Sequence, residues 1–286
     1  MIHTARQLKA LVRNKSNSDN QKAQTYIRIY AMERFLERLS CSRYKENFVL
    51  KGGILVSSMV GVNKRSTMDI DTTIRNQSLS IPEATRIVEE IAAIPLEDGM
   101  TFEVKDVTEI MEEAEYSGVR IHMTASLEKM RTPIKIDIST GDVITPHDIR
   151  YSYKLMFEER YIELFTYNLA TILAEKIETV ISRGTANTRL RDYYDVYVLT
   201  HQYEGEIKGE EVRAALAATS RKRGSQSVIA DYARILNEIS TDAEMQQLWR
   251  NYQSKFDYAA DVEWGKVMSA LRKLSEMAVG QSNGTD

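Results

Sequence analysis

The sequence predicts an α/β (α+β) protein, a mixed sheet with flanking helices in the N-terminal half followed by a helical bundle. Three observations predict it. Short apolar segments of period two alternate with helical ones up to about residue 150. Beyond that point only helical periods recur. The run FVLK at 48–51 breaks at Gly52-Gly53 into ILVSSMV, the order strand, glycine turn, buried helix. The division implied is a sheet domain over 1–150, with basic helices at its start, and a helical domain over 151–286.

Residues 4–14 and 22–40 read as helices. The polar loop NKSNSDNQ separates them, and Ser18 or Asp19 can cap the second. In that helix Ile27, Tyr30, Ala31, Arg34, Phe35 and Arg38 set apolar and basic patches at helical spacing. After the 48–51 strand and its helix, 68–74 reads as a strand. A helix over 82–93 has Ser80 as N-cap and Pro82 in its first turn. Strands follow at 101–107, 119–127 and 133–139. Helices are expected at 167–183, 191–201, 209–220, 227–239, 243–252 and 264–277. The tail VGQSNGTD reads as a disordered end.

The 286 residues, 43% hydrophobic and 28% charged, can bury a real core. No apolar stretch is long enough to span a bilayer, so no membrane partner is expected. The N-terminus lacks the apolar core of a signal peptide. The single Cys41 rules out an intrachain disulfide and a cysteine-rich metal site. A cytoplasmic location follows as the expectation. The net charge of −3 is uneven: residues 1–47 carry ten Lys and Arg against four Asp and Glu. Such a region either touches phosphates or is an ordinary solvated helix surface.

The chemistry concentrates in FVLKGGILVSSMVGVNKRSTMDIDTTI, residues 48–74. Alternate residues of a strand share a face, so Asp69, Asp71 and Thr73 lie together, opposite Ile70 and Thr72. In PIKIDIS, Ile134, Ile136 and Ile138 face a core while Lys135, Asp137 and Ser139 face outward. If the two strands are neighbours, Asp69, Asp71 and Asp137 converge. Three carboxylates without histidine make a hard oxygen site suited to Mg²⁺. Two such ions can clamp the attacking and leaving oxygens of a phosphoryl or nucleotidyl transfer. A lone D-x-D is a common turn feature; the third acid and the preceding glycines strengthen the metal reading. Gly52-Gly53 lets backbone amides approach a phosphate at a helix N-terminus, although a lone Gly-Gly is otherwise only a tight turn. The P-loop spacing is absent.

This combination resembles the AbiEii/AbiGii toxin family, a branch of the nucleotidyltransferase superfamily. The family pattern is roughly K-G-G-T, apolar residues, then R-x-S-x-D-I-D. Lys51, Gly52, Gly53, Arg65, Asp69 and Asp71 match it, and Thr67 stands at the serine position. Ile54 departs from the hydroxyl expected after Gly-Gly, which the superfamily uses on nucleotide phosphates; Ser57, one turn later, is the substitute. The likeness continues through KID at 135–137, AEKIETVISRG and RLRDYYDVYVL.

Lys176 sits beside the apolar stripe of Ile172, Leu173, Ile177 and Val180. It either snorkels to solvent or faces an anion. The resemblance implies a triphosphate ligand, with Arg183 two turns on. Asp192 and Asp195 share a helical face. One can support the site while the other holds Arg191 or a neighbour, and the resemblance favours Asp192. The implied catalytic set is Asp69, Asp71, Asp137, Lys176 and Asp192, with the first three holding metal and the helical domain bringing Lys176 and Asp192 to the cleft. The implied nucleotide-binding set is Gly52, Gly53, Ser57, Arg65, Thr67, Lys135 and Arg183. The four histidines have no ligand spacing, and Tyr193, Tyr194, Tyr197 and Tyr203 read as helix packing. SRKRGSQS, with Arg221, Lys222 and Arg223, reads as a basic loop, solvated or against an RNA backbone.

The resemblance implies a Mg²⁺-dependent nucleotidyltransferase using an NTP, GTP first, with the 3′ end of tRNA as acceptor. It also implies the toxin of a type IV toxin–antitoxin pair acting in abortive phage infection. The implied partner is a cognate antitoxin that represses transcription. Two other readings stand beside it. A metal-dependent nuclease would use Asp69, Asp137 and a lysine, but needs no triphosphate cradle. A non-catalytic nucleotide-binding interaction protein would not need all three acids.

Overall fold

The computed structural model describes residues 1–75, 79–111 and 117–280. They gather into two compact units. The first comprises Met1–Val62, Ser66–Asp142 and Ile149–Thr166; the second comprises Asn63–Arg65, Val143–Asp148 and the chain from Tyr167 on.

The first unit carries strands β1 (Phe48–Lys51), β2 (Ile70–Ile74), β3 (Met100–Met111), β4 (Ser117–Leu127), β5 (Met130–Thr140), β6 (Ile149–Lys154) and β7 (Tyr161–Thr166). They form one sheet in the order β3-β4-β5-β2-β1-β7-β6. The β2–β5 and β1–β7 pairs are parallel, and the other neighbours are antiparallel. Its helices are α1 (Ala5–Ser16), α2 (Asn20–Cys41), α3 (Gly52–Val60) and α4 (Ile81–Ala92). Asp19 caps α2 by accepting from the Gln21 and Lys22 amides. Ser80 and Glu83 close a capping box on α4, with a proline in its first turn. Helix α4 then buries Ala84, Ile87, Val88 and Ile91 at i, i+3, i+4 and i+7.

The sheet runs on past residue 150, where the sequence places its end. Strand β6 lies at the sheet edge and buries only Tyr153, although Ile149, Tyr151 and Tyr153 alternate with Arg150, Ser152 and Lys154, a period-two signal that places a strand here. Strand β7 buries Ile162, Leu164 and Thr166 and turns Tyr161 and Glu163 outward, a short alternation the helical pattern around it obscures.

The basic N-terminal region departs from both of its readings at two positions. Helix α2 packs against α1, α4 and the sheet, so it has little solvent-facing surface for its charges. Arg34 and Arg38 are buried. Arg38 forks onto both Asp98 oxygens at 2.7 and 2.8 Å and donates to the Met100 carbonyl at 2.9 Å. Arg34 lies 2.6 Å from Glu37. Each buried charge is offset by a carboxylate, as burial requires.

The second unit is a helical assembly: α5 (Leu169–Arg183), α6 (Leu190–Gln202), α7 (Gly209–Arg223), α8 (Gln226–Ala230), α9 (Tyr232–Thr241), α10 (Ala243–Lys255) and α11 (Trp264–Val279). The span expected as one helix over 227–239 is two, α8 and α9, broken at Asp231. Leu173, Ile177, Val196, Leu199, Leu216, Leu236 and Leu271 form its core. Tyr193 and Tyr194 pack against other rings, including Trp264 at 5.6 Å and Tyr258 at 4.9 Å. The segment expected as a basic loop is the last turn of α7, which Gly224 ends in the left-handed region. Arg223 turns back onto Glu175 and Glu178 of α5. The tail from residue 281 lies outside the described residues. No helix among them is long and apolar enough to cross a membrane.

Candidate active site

One row of side chains crosses four strands of the first unit. Arg120 of β4 stands opposite Asp137 of β5, Asp137 opposite Asp71 of β2, and Asp71 opposite Lys51 of β1. Residues paired across strands share a face, so the row reads cation, carboxylate, carboxylate, cation. Ile70, Ile134, Ile136 and Ile138 turn the other way and are buried.

Asp71 is fixed by the glycine pair. Gly52 has φ +63° and sits so close that an added Cβ would lie 2.2 Å from Asp71 Oδ2 and 2.7 Å from Asp71 Cβ. The Gly53 amide donates to Asp71 Oδ2 at 3.2 Å. The N-terminus of α3, expected to cradle phosphate, thus holds a carboxylate of the protein, which its dipole favours for the same reason. Burial pushes the Asp71 carboxyl above its ordinary range; the Gly53 amide works against this, and the nearby Asp137 adds to it. Gly52→Ala is therefore expected to displace Asp71, because the Asp71 Cβ is tied to β2 and cannot yield. Expected results are a loss of about 1–3 kcal/mol of stability, read by thermal melting, and a loss of transfer activity of at least about tenfold.

Asp69, just before β2, is joined to Asp137 through Lys135. The ammonium lies 3.0 Å from Asp69 Oδ2 and 3.6 Å from Asp137 Oδ2. Arg120 forks onto Asp137, Nε to Oδ1 at 2.9 Å and Nη2 to Oδ2 at 2.8 Å. The adjacency of the two strands, left conditional in the sequence, is therefore real. The convergence is looser than the alternation implies. Among the described residues no three carboxylate, histidine or cysteine side chains are drawn close enough to enclose a metal. Protein cations stand among the acids. The donor set nevertheless fits a hard divalent ion, since the Lys135 ammonium already bridges two of the acids as a stand-in cation.

Lys51 pairs with Asp142, and Ser139 donates to the same Asp142 oxygen at 2.7 Å. Thr67 is buried, its hydroxyl 3.4 Å from the Asp69 carbonyl it donates to. Ser57 is buried in α3, and so is Ile54. The position after the glycines faces the core, which accounts for an apolar residue there. Arg120 escaped the sequence reading. Its signal was the alternation of GVRIHMTASL, which sets Arg120 opposite the buried Val119 and Ile121.

In the second unit Lys176 of α5 reaches Asp192 at 2.5 Å and Asp195 at 2.8 Å, both on α6. Arg65 donates to both Asp195 oxygens at 2.7 and 3.1 Å. Arg189 lies 3.2 Å from Asp192. Asp192 and Asp195 are buried and both hold Lys176, so they are not a surface cluster, and Asp195 also takes the Arg65 guanidinium. Burial disfavours the Lys176 ammonium, but the two aspartates outweigh it and raise its pKa. Burial alone would raise Asp195; Arg65 and Lys176 overcome that and hold its carboxyl at about 2. Arg183, at the end of α5, is exposed.

A glycine turn into a helix, a D-I-D on the neighbouring strand and a third acid in register on a parallel strand define a nucleotidyltransferase-like site on a mixed sheet. The family model described as nucleotidyl transferase AbiEii toxin, type IV TA system, matches residues 34–270, and the chain belongs to that family. It is accordingly a toxin nucleotidyltransferase, with a cognate antitoxin as its partner. Among solved structures, it is similar to JHP933 from Helicobacter pylori at 15% identity over 90% of this chain and 92% of that one, with a TM-score of 0.49. It is also similar to an antigenic nucleotidyltransferase-like protein from Paracoccidioides brasiliensis, at 13% identity over 70% of this chain and 90% of that one, TM-score 0.36. Comparison with curated proteins finds no match.

Proposed function

We propose that the protein transfers a nucleoside monophosphate from an NTP, GTP first, to the 3′ hydroxyl of a tRNA in the cytoplasm. The observation that carries this reading is the in-register pair Asp71–Asp137, with Asp69 beside it, on one face of the sheet. Asp69 and Asp71 would hold Mg²⁺, with Asp137 as third carboxylate. The ion supplies charge neutralisation at the phosphates when bound. The hydroxyl oxygen of the acceptor forms a bond to the α-phosphorus. The bond from that phosphorus to the bridging oxygen breaks, and pyrophosphate leaves with the electron pair. Asp137 takes the hydroxyl proton. Lys135 binds phosphate oxygens beside Asp69 and Asp137. Within the second unit, Lys176 is the candidate phosphate ligand, presented by Asp192 and Asp195. Gly52 and Gly53 fix Asp71, and Thr67 holds the strand leading into Asp69. Ser57 and Arg65, expected as nucleotide ligands, are buried, and Arg65 instead anchors Asp195 behind Lys176, which leaves the exposed Arg183 as the remaining candidate of those three. The antitoxin represses transcription of the toxin.

The test is incubation of purified protein with each α-labelled NTP, Mg²⁺ and total cellular RNA. Label in the tRNA fraction, strongest with GTP and lost with EDTA, is the expected result. RNA cleaved without incorporation of label from any NTP would instead establish a nuclease.

A further inference from the structure

Arg120 is half-exposed, its side chain 37% accessible, yet it is locked in place by a bidentate contact. A guanidinium has five N–H donors arranged along more than one edge. Its Nε–Nη2 edge is used on Asp137, and Nη1 has no partner among the described residues. The outer edge, Nη1 with the second hydrogen of Nη2, is therefore available on the side away from Asp137. The strand register makes the placement rigid: Arg120 and Asp137 are direct antiparallel partners. Arg120 also closes the row, so its charge sits at one end of two adjacent carboxylates. Lys51 closes the other end, but it is engaged by the buried Asp142. Of the two flanking cations, Arg120 has the donors to offer an incoming anion. The reaction proposed above brings anions of one chemistry to this face, phosphate oxygens, from the triphosphate and from the RNA backbone.

Resting on that reading of the site, we infer that Arg120 both positions Asp137 and binds a substrate phosphate oxygen through its outer edge. The first task is done by the inner fork, which fixes both oxygens of the carboxylate. The second uses the same planar group without releasing the first. A lysine cannot do both, because a single ammonium lacks two opposed edges.

The experiment compares wild type with Arg120→Gln, Arg120→Lys and Asp137→Asn. Two probes are used in Mg²⁺: a GTP analogue with a methylene bridge between the α- and β-phosphorus, and a deacylated tRNA pool. Binding is measured by calorimetry and transfer by label incorporation. Arg120→Gln should melt close to wild type, since the residue is half-exposed. It should weaken at least one probe about tenfold or more, the scale of a lost charge-assisted contact. Loss confined to the analogue assigns the triphosphate; loss confined to tRNA assigns the backbone; loss of both assigns the shared chemistry. Arg120→Lys should recover part of the binding and little of the turnover. If Arg120→Gln does not fold, Arg120→Lys carries the test, and its equality with wild type in binding and turnover overturns the inference. A folded Arg120→Gln that binds both probes as wild type does so too. Asp137→Asn separates the two levels. Its full activity would sink the site reading itself, whereas an inactive Asp137→Asn beside a wild-type Arg120→Gln sinks only the role of Arg120.

Discussion

Asp71→Asn is expected to abolish nucleotidyl transfer, by about a thousandfold or more, while the protein becomes harder to melt. The two effects have one cause. The carboxylate is buried against the N-terminus of α3, and its neighbours include Asp137 and Asp69. Folding therefore takes up a charge that its surroundings do not fully repay. Asparagine keeps the shape and can still accept from the Gly53 amide, but carries no charge to hold a metal or steer phosphates. The sign of the pH dependence follows. The folded pKa lies above the ordinary value of 3.8, so the native state retains a proton that the unfolded state gives up. Wild-type stability from this group is full below 3.8 and declines as pH rises through the folded value. The melting temperatures of Asp71→Asn and wild type should thus differ by a few degrees at pH 7 and converge on acidification, at about 2–4 °C for each kcal/mol. Asp69→Asn should be equally inactive without the same gain in stability, since Asp69 is a third exposed and pairs with Lys135. An Asp71→Asn protein that folds natively and keeps normal activity would remove the carboxylate row from the mechanism.

The second large effect is on stability. Asp195→Asn leaves buried Arg65 without its bidentate partner and Lys176 with only Asp192. Removing one member of a buried ionic group costs about 3–5 kcal/mol, because the remaining charge stays out of water. The melting temperature should fall by roughly 6–20 °C at 2–4 °C per kcal/mol. The depressed carboxyl also has a pH signature. Its contribution is present above the ordinary value of 3.8 and is lost as pH falls toward about 2. The variant should show a shallower loss of stability across that interval. A variant melting within about a degree of wild type would mean that Arg65 and Lys176 find water or other partners. Asp195→Asn with Arg65→Met should recover part of the loss, since it removes both members of the ion pair.

Much of this was legible before any coordinates. The period-two pattern of PIKIDIS set the isoleucines inward and Asp137 outward, and Ser80 with Pro82 marked the start of α4. What the sequence hid were partnerships between distant segments. Arg38 reads as a surface charge because its partner Asp98 lies sixty positions on. Strand β6 was not hidden in this way: Ile149, Tyr151 and Tyr153 alternate with Arg150, Ser152 and Lys154, but the run straddles the expected domain boundary at 150. The glycine pair was recognised as a close approach, but the approaching group is Asp71 itself, since a helix N-terminus accepts a carboxylate as readily as a phosphate. Arg120 stayed invisible because its meaning depends on which strand β4 neighbours.

The parallel pairing of β2 with β5 has a consequence during synthesis. Asp71 and Asp137 belong to strands separated in the chain by α4, β3 and β4, and no local turn can bring them together. Such distant pairings bear the largest loop-closure cost and form late. A ribosome that has released everything through Leu127 has made the D-I-D motif but not its facing acid. On the mechanism proposed above, a nascent chain has no transfer activity until β5 emerges and docks, and a chain truncated before that strand has none. The same register leaves no tolerance for a slip: moving β5 by one residue would set Ile136 or Ile138 against Asp71 and turn Asp137 into the core. On that mechanism the topology ties transfer activity to the docking of β5 on β2.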